Sequence, residues 1–160
     1  MKKIKIETIL EVYNTIEELP VSIQELFVKA QQARDVAYAP YSHFKVGVAL
    51  RLDNGTIIQG SNQENAAYPS GLCAERVAVF YAGANYPNAS ITTLAITVKS
   101  LDKVITKPVA PCGACRQSLV EYEINQNTPI QIYFMGETGK IIKVASVKNL
   151  LPLVFDNSYL

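Results

Sequence analysis

The residues able to do chemistry in this chain fall into two short runs: Cys73-Ala74-Glu75-Arg76 opens one apolar stretch, and Pro111-Cys112-Gly113-Ala114-Cys115-Arg116 opens another. They hold all three cysteines of the chain. Three thiolates can bind a zinc ion and leave its fourth tetrahedral position open, and an open position beside a carboxylate is what activation of water requires. The pattern points to hydrolytic zinc chemistry, with Cys73, Cys112 and Cys115 as ligands and Glu75 as the proton carrier.

Both runs fall where a helix is predicted to begin. Unpaired N–H groups and the positive end of the helix dipole favour thiolate over thiol there. Cys112 and Cys115 are three residues apart and share a face within a first helical turn. Pro111 stands where its missing N–H costs the helix nothing. Three thiolates overcompensate the charge of zinc, so the site needs cations, and Arg76 and Arg116 each follow a candidate residue directly. Either guanidinium could donate to a cysteine sulfur. Glu75, two residues after a ligand, can reach a water at the open position without itself binding metal, a proton-transfer role worth roughly 10² to 10⁴ in rate.

A lone Cys-x-x-Cys is shared with structural zinc sites and redox pairs. A closed structural site, however, needs a fourth protein ligand, and His43 is the one histidine available. Its place at the start of a strand reads as surface.

The elements that must position these residues follow from periodicity and punctuation. Lys3 to Tyr13 partly alternates and reads as a strand, with helix as the competing reading. Ser22-Ile23-Gln24-Glu25 has the spacing of a capping box and opens a helix to about Ala37. Phe44 to Leu50 and Thr56 to Ile58 flank Asp53-Asn54-Gly55 as a hairpin. Cys73 to Ala84 reads as a buried helix and Ile91 to Val98 as an interior strand. A helix from the second cysteine run to about Ile124 follows, then a hairpin of Ile130 to Met135 with Lys140 to Val144, and a short closing helix at Val147 to Leu151. Without the N-terminal segment the order is helix, hairpin, helix, strand, helix, hairpin, helix, which predicts an α/β fold, a three-layer α/β/α sandwich around a mixed five-stranded sheet.

With 160 residues, the chain fits one domain. Apolar residues make up 49% and the net charge is +1, with lysines scattered rather than clustered. The basic footprint of a nucleic-acid binder is missing, no stretch approaches the roughly 20 apolar residues of a membrane span, and an odd cysteine count argues against a disulfide framework. A cytoplasmic protein acting on a small, weakly charged substrate is expected.

Cys73-Ala74-Glu75-Arg76 with Pro111-Cys112-Gly113-Ala114-Cys115-Arg116-Gln117 resembles the zinc-dependent cytidine deaminases. Tyr38-Ala39-Pro40-Tyr41-Ser42-His43-Phe44, Asn62-Gln63-Glu64-Asn65-Ala66-Ala67-Tyr68, and Leu150-Leu151-Pro152 with Phe155 are similar to further family landmarks in the same order. The resemblance covers roughly Ser22 to Phe155 and leaves residues 1 to about 20 as an extension that could cover a sheet edge or join an interface.

The resemblance implies one Zn²⁺ per subunit, a free nucleoside substrate and, from the three-cysteine set and short chain, a homotetramer active in pyrimidine salvage. It implies that Asn62 and Glu64 bind the ribose, that Phe44 packs on the pyrimidine, and that Ala66 and the Ala74 N–H contact substrate. Tyr68 and Phe155 become candidates for sites shared between subunits, and Arg76, Arg116 and Gln117 surround the ligands. Deamination would then proceed by attack of activated water at carbon 4, with Glu75 protonating the ring nitrogen and ammonia leaving. Ser61 stands where many relatives carry a cysteine, a position that is not a ligand.

Overall fold

Alternation along Phe44–Leu52 builds the middle of the sheet, because successive side chains of a strand point to opposite faces. Val48 and Leu50 enter one core while Ala49 enters another. The computed structural model describes residues 1–160. Its strands are β1 (Glu11–Tyr13), β2 (Phe44–Leu52), β3 (Ile57–Ser61), β4 (Ile91–Ser100), β5 (Gln131–Met135) and β6 (Ile141–Val144). Its α-helices are α1 (Val21–Asp35), α2 (Ala74–Asn85) and α3 (Gly113–Asn125).

The six strands form one mixed sheet in the order β1-β6-β5-β4-β2-β3. β4 and β5 are parallel, joined by a crossover through α3, and the remaining neighbours are antiparallel. α1 packs on one face through Leu26, Phe27 and Ala30 against Ala49, Ala95 and Tyr133. The other face carries α2 and α3, where Ala78, Val79, Leu119 and Val120 meet Val48, Leu50, Leu94 and Ile132. This is the three-layer α/β/α arrangement. No helix is long and apolar enough to cross a membrane.

Two close approaches set the layer spacing. A Cβ on Gly47 would lie 2.1 Å from the Ala30 carbonyl oxygen, so only glycine lets α1 lie this near β2. On the opposite face, a Cβ on Gly60 would lie 2.4 Å from the carbonyl oxygen of Ala74, and so the start of α2 rests directly on β3. The β2–β3 turn uses Gly55 at φ 84° with the Asn54 side chain accepting from Thr56 N–H, the chemistry its sequence called for.

Four expectations change. The sheet has six strands, not five, because the N-terminal segment adds β1 to the β6 edge. That strand is confined to Glu11–Tyr13 rather than starting at Lys3, since β6 is only four residues long and is too short an edge for the whole segment. No capping box forms: α1 starts at Val21, one residue after Pro20, which places Ser22 inside the first turn rather than at the cap. The closing helix is a 3-10 turn at Val147–Asn149, capped by the Ser146 hydroxyl, which accepts from the Lys148 N–H.

Candidate metal and active site

Two helix starts bring the three cysteines together. Cys73 is the N-cap residue of α2 and Cys112 that of α3, both in extended backbone conformation, and Cys115 lies in the first turn of α3. The Cys73 and Cys112 sulfurs are 3.9 Å apart and those of Cys112 and Cys115 are 3.4 Å apart. All three lie within 4.8 Å of one another. Sulfurs at about 2.3 Å from a tetrahedral zinc would be about 3.8 Å apart, so the set fits that ion. No fourth protein ligand joins the cluster. His43 lies elsewhere, at φ 54° and 3.5 Å from Asp102.

The electrostatics of the metal-free thiols also fit a cation. The Cys73 thiol is pulled below its ordinary range by hydrogen bonding with Cys115, against the effect of burial and helped by Arg76. Cys115 is pushed up by the same hydrogen bond, by burial and by the nearby Glu75 and Cys73 charges. One thiolate thus suppresses the next, a conflict that a divalent ion in their midst removes by favouring all three thiolates.

Glu75 occupies the first turn of α2, where its side chain is 5% exposed. Burial raises its carboxyl pKa, and the negative charge on Cys73 adds to the rise. A buried carboxyl whose proton affinity is raised beside three sulfurs is suited to accept a proton and give it back. Arg76 points Nη2 at the Cys73 sulfur across 3.9 Å. Arg116 does otherwise, donating to the carbonyls of Pro111 at 2.7 Å and Leu150 at 2.9 Å. It braces the turn that leads into Cys112 and touches no sulfur.

A cavity of about 730 Å³ opens over these groups. That volume suits a small organic ligand. Phe44, Asn62, Glu64, Tyr68, Cys73, Glu75, Arg76 and Cys112 line it. Asn62 accepts from the Val46 N–H at 2.7 Å and donates to the Phe44 carbonyl at 2.9 Å, which leaves one N–H and one lone pair for a ligand. Glu64 accepts from the Tyr41 and Ser42 N–H groups and from the Ser42 hydroxyl. Burial opposes ionisation of Glu64, but those hydrogen bonds outweigh it and hold its pKa below the usual carboxylate value.

Other expected positions stand outside that lining. Ala74 is buried beneath Glu75, Cys115 is fully buried behind the other sulfurs, and Ala66 is exposed on the rim loop. Gln117 donates to the Phe155 carbonyl at 2.9 Å, while the Phe155 ring stacks on Tyr159 at 5.7 Å and remains largely exposed. Residues that motif reading did not select also line the cavity: Val46, Ile96, Val98, Val109 and Ala110, and Ser42, quoted in a motif but given no role, lines it too. Strand alternation puts Ile96 and Val98 on one face, but only the pairing of β4 with β2 shows which face looks into the cavity.

An open thiolate triad, a buried carboxyl and a small-molecule cavity on a three-layer sandwich define a zinc hydrolase by class. The chain belongs to the cytidine deaminase family. The model of the cytidine and deoxycytidylate deaminase zinc-binding region matches residues 20–128. The cytidine deaminase of Halalkalibacterium halodurans is 41% identical over 132 residues, covering 82% of this chain and 92% of that protein. That of Sporosarcina psychrophila is 38% identical over 135 residues, covering 84% and 92%. The crystal structure of the cytidine deaminase from Burkholderia pseudomallei superposes with a TM-score of 0.71 at 37% identity, over 82% of this chain and 97% of the other.

Proposed function

We propose that this chain, a single domain with its family core at about 22–155, hydrolytically deaminates free cytidine and deoxycytidine to uridine and deoxyuridine in cytoplasmic pyrimidine salvage. The observation that carries the reading is the buried Glu75 carboxyl at the mouth of the thiolate cluster, inside a cavity of nucleoside size. One zinc per subunit, held by Cys73, Cys112 and Cys115, supplies the Lewis acidity that makes water a nucleophile near neutral pH.

The chain's own groups do the rest. Glu75 takes the proton of the attacking water and gives it to ring nitrogen 3 as oxygen bonds to carbon 4. The second water proton, carried by the same carboxyl, goes to the departing amine, the carbon–nitrogen bond breaks, and ammonia leaves as the carbonyl of uracil forms. The Ala74 N–H and Glu75 orient the base, Phe44 packs on its ring, and Asn62, Glu64 and Ala66 hold the sugar side. Arg76 offsets the charge of Cys73.

The family likeness supports a homotetramer in which Tyr68 and Phe155 act across subunit boundaries. Both rings are exposed on the isolated subunit, at 79% and 59%. Sedimentation at working concentration tests this, and a fully active monomer would overturn it. For the reaction, zinc-loaded protein is given cytidine and deoxycytidine and the ammonia released is measured. Release from neither nucleoside rejects the assignment.

A further inference from the structure

Glu123 lies in the C-terminal half of α3, is 4% exposed, and has no part in the site described above. Its carboxylate accepts four hydrogen bonds, one from Ile130 and three from the consecutive residues Ser146, Val147 and Lys148. Oε2 takes the N–H groups of Ile130 and Val147, both at 2.8 Å, and Oε1 takes the Ser146 hydroxyl at 2.6 Å and the Lys148 N–H at 3.3 Å. All four lone-pair directions of the carboxylate are in use. Burial of a carboxylate is costly where an apolar residue would fill the space, and its return is a fixed geometry for whatever donates to it.

What it fixes is the segment from Ser146 to Leu150. Val147 in that segment is fully buried and packs in the core shared with Leu119 and Val120 of α3. Arg116 lies seven residues before Glu123, about two helical turns, on nearly the same side of α3. It holds the other end of the segment through the Leu150 carbonyl. The same guanidinium holds the carbonyl of Pro111, the residue before Cys112. The sequence of contacts therefore runs from Glu123 through the 3-10 turn at Val147–Asn149 to Leu150, Arg116, Pro111 and Cys112.

We propose that Glu123 is a positioning residue for the metal centre: by anchoring Ser146–Lys148 it sets Leu150, and through Arg116 it sets the turn that presents Cys112. The inference rests on the zinc reading of the three cysteines. Loss of the anchor lets the far end of the segment drift, loosens the Arg116 brace, and allows Cys112 to leave the ion more readily.

The test is the rate at which purified, zinc-loaded protein gives up its metal to a chromogenic chelator, read beside thermal melting. Glu123→Gln keeps the size of the side chain but turns an NH₂ group toward N–H donors. It should release zinc about tenfold faster, at the low end of what loss of an outer partner of a metal site costs. Ser146→Ala removes one donor, keeps the fold, and should shift release in the same direction by less. Glu123→Asp, which retains the charge, should restore part of the wild-type rate. Phe27→Leu, in the core on the opposite face, serves as a destabilised control and should leave the release rate unchanged. Wild-type release from both Glu123→Gln and Ser146→Ala overturns the inference, as does acceleration in Phe27→Leu matching that in Glu123→Gln. A wild-type protein that takes up no zinc overturns the metal reading itself, a result distinct from zinc that binds and is released at an unaltered rate.

Discussion

The sulfurs of Cys73 and Cys112 lie 3.9 Å apart although 39 residues separate them in sequence. They meet because α2 and α3 pack side by side on one face of the sheet with their first residues at the same end, and each cysteine occupies the N-cap position of its helix. The metal centre is thus a property of two helix starts held in register. Changes to either start, or to what supports it, should be read first in metal retention.

Glu75 should be separable from the ligands. Glu75→Gln preserves shape and leaves the three thiolates in place, so zinc content measured by elemental analysis should stay at one per chain. The turnover number on cytidine should fall by roughly 10² to 10⁴, the range for loss of a proton-transfer group. Near-normal turnover would remove Glu75 from the proton path.

Arg76 should act through charge. It faces the Cys73 sulfur across 3.9 Å, and Arg76→Gln leaves the excess negative charge of three thiolates unopposed. Zinc affinity, measured by competition with a chelator of known strength, should weaken about 10- to 100-fold. Unaltered affinity would show that the guanidinium has no electrostatic part in holding the ion.

Gly60 should be intolerant of a methyl group. The added Cβ would lie 2.4 Å from the Ala74 carbonyl oxygen and 2.8 Å from the Ala78 nitrogen, both backbone atoms that cannot move without shifting α2. Gly60→Ala should cost about 1–3 kcal/mol in urea unfolding, as overpacking does, and should also impair zinc retention because Cys73 moves with the helix. Stability equal to wild type would mean that the start of α2 is free to slide.

The N-terminal strand should respond to acid through Glu11. Hydrogen bonding to Lys143, 2.9 Å away, and then to Tyr13 holds its pKa below the ordinary value. A depressed carboxylate stabilises the fold above its unfolded pKa of about 4.3, and that contribution disappears as pH falls through the lower folded value. Because the Glu11 side chain is 48% exposed, solvent screening keeps the contribution below about 1 kcal/mol. Paired melts of wild type and Glu11→Gln in low salt should differ at pH 7 and converge as pH falls through the lowered folded value. A gap that persists at pH 2.5, or one that 1 M salt leaves untouched, would count against the ion pair.

Much of this protein is legible in its residues. Ligand types, the Cys-x-x-Cys spacing and the adjacent Glu75 depend on local chemistry, and strand alternation and turn residues depend on nearest neighbours. A sequence displays such features directly. It also displayed the two arginines, but not their different duties. Arg76 and Arg116 each follow a chemically important residue, yet one reaches a sulfur and the other two carbonyls, because the helical direction of each side chain meets different neighbours.

By itself, then, the sequence determined the chemistry available: three thiols, one carboxyl beside them, and the elements that bear them. Only the tertiary structure decided that the N-terminal segment adds a sixth strand, that Ser22 does not cap α1, that Ile96 and Val98 wall the cavity, and that Glu123 ties α3 to Ser146–Lys148. The physical reason is the same in each case. These outcomes depend on which distant groups offer an unpaired edge, an unsatisfied donor or an open face, and that competition is resolved only when the whole chain packs.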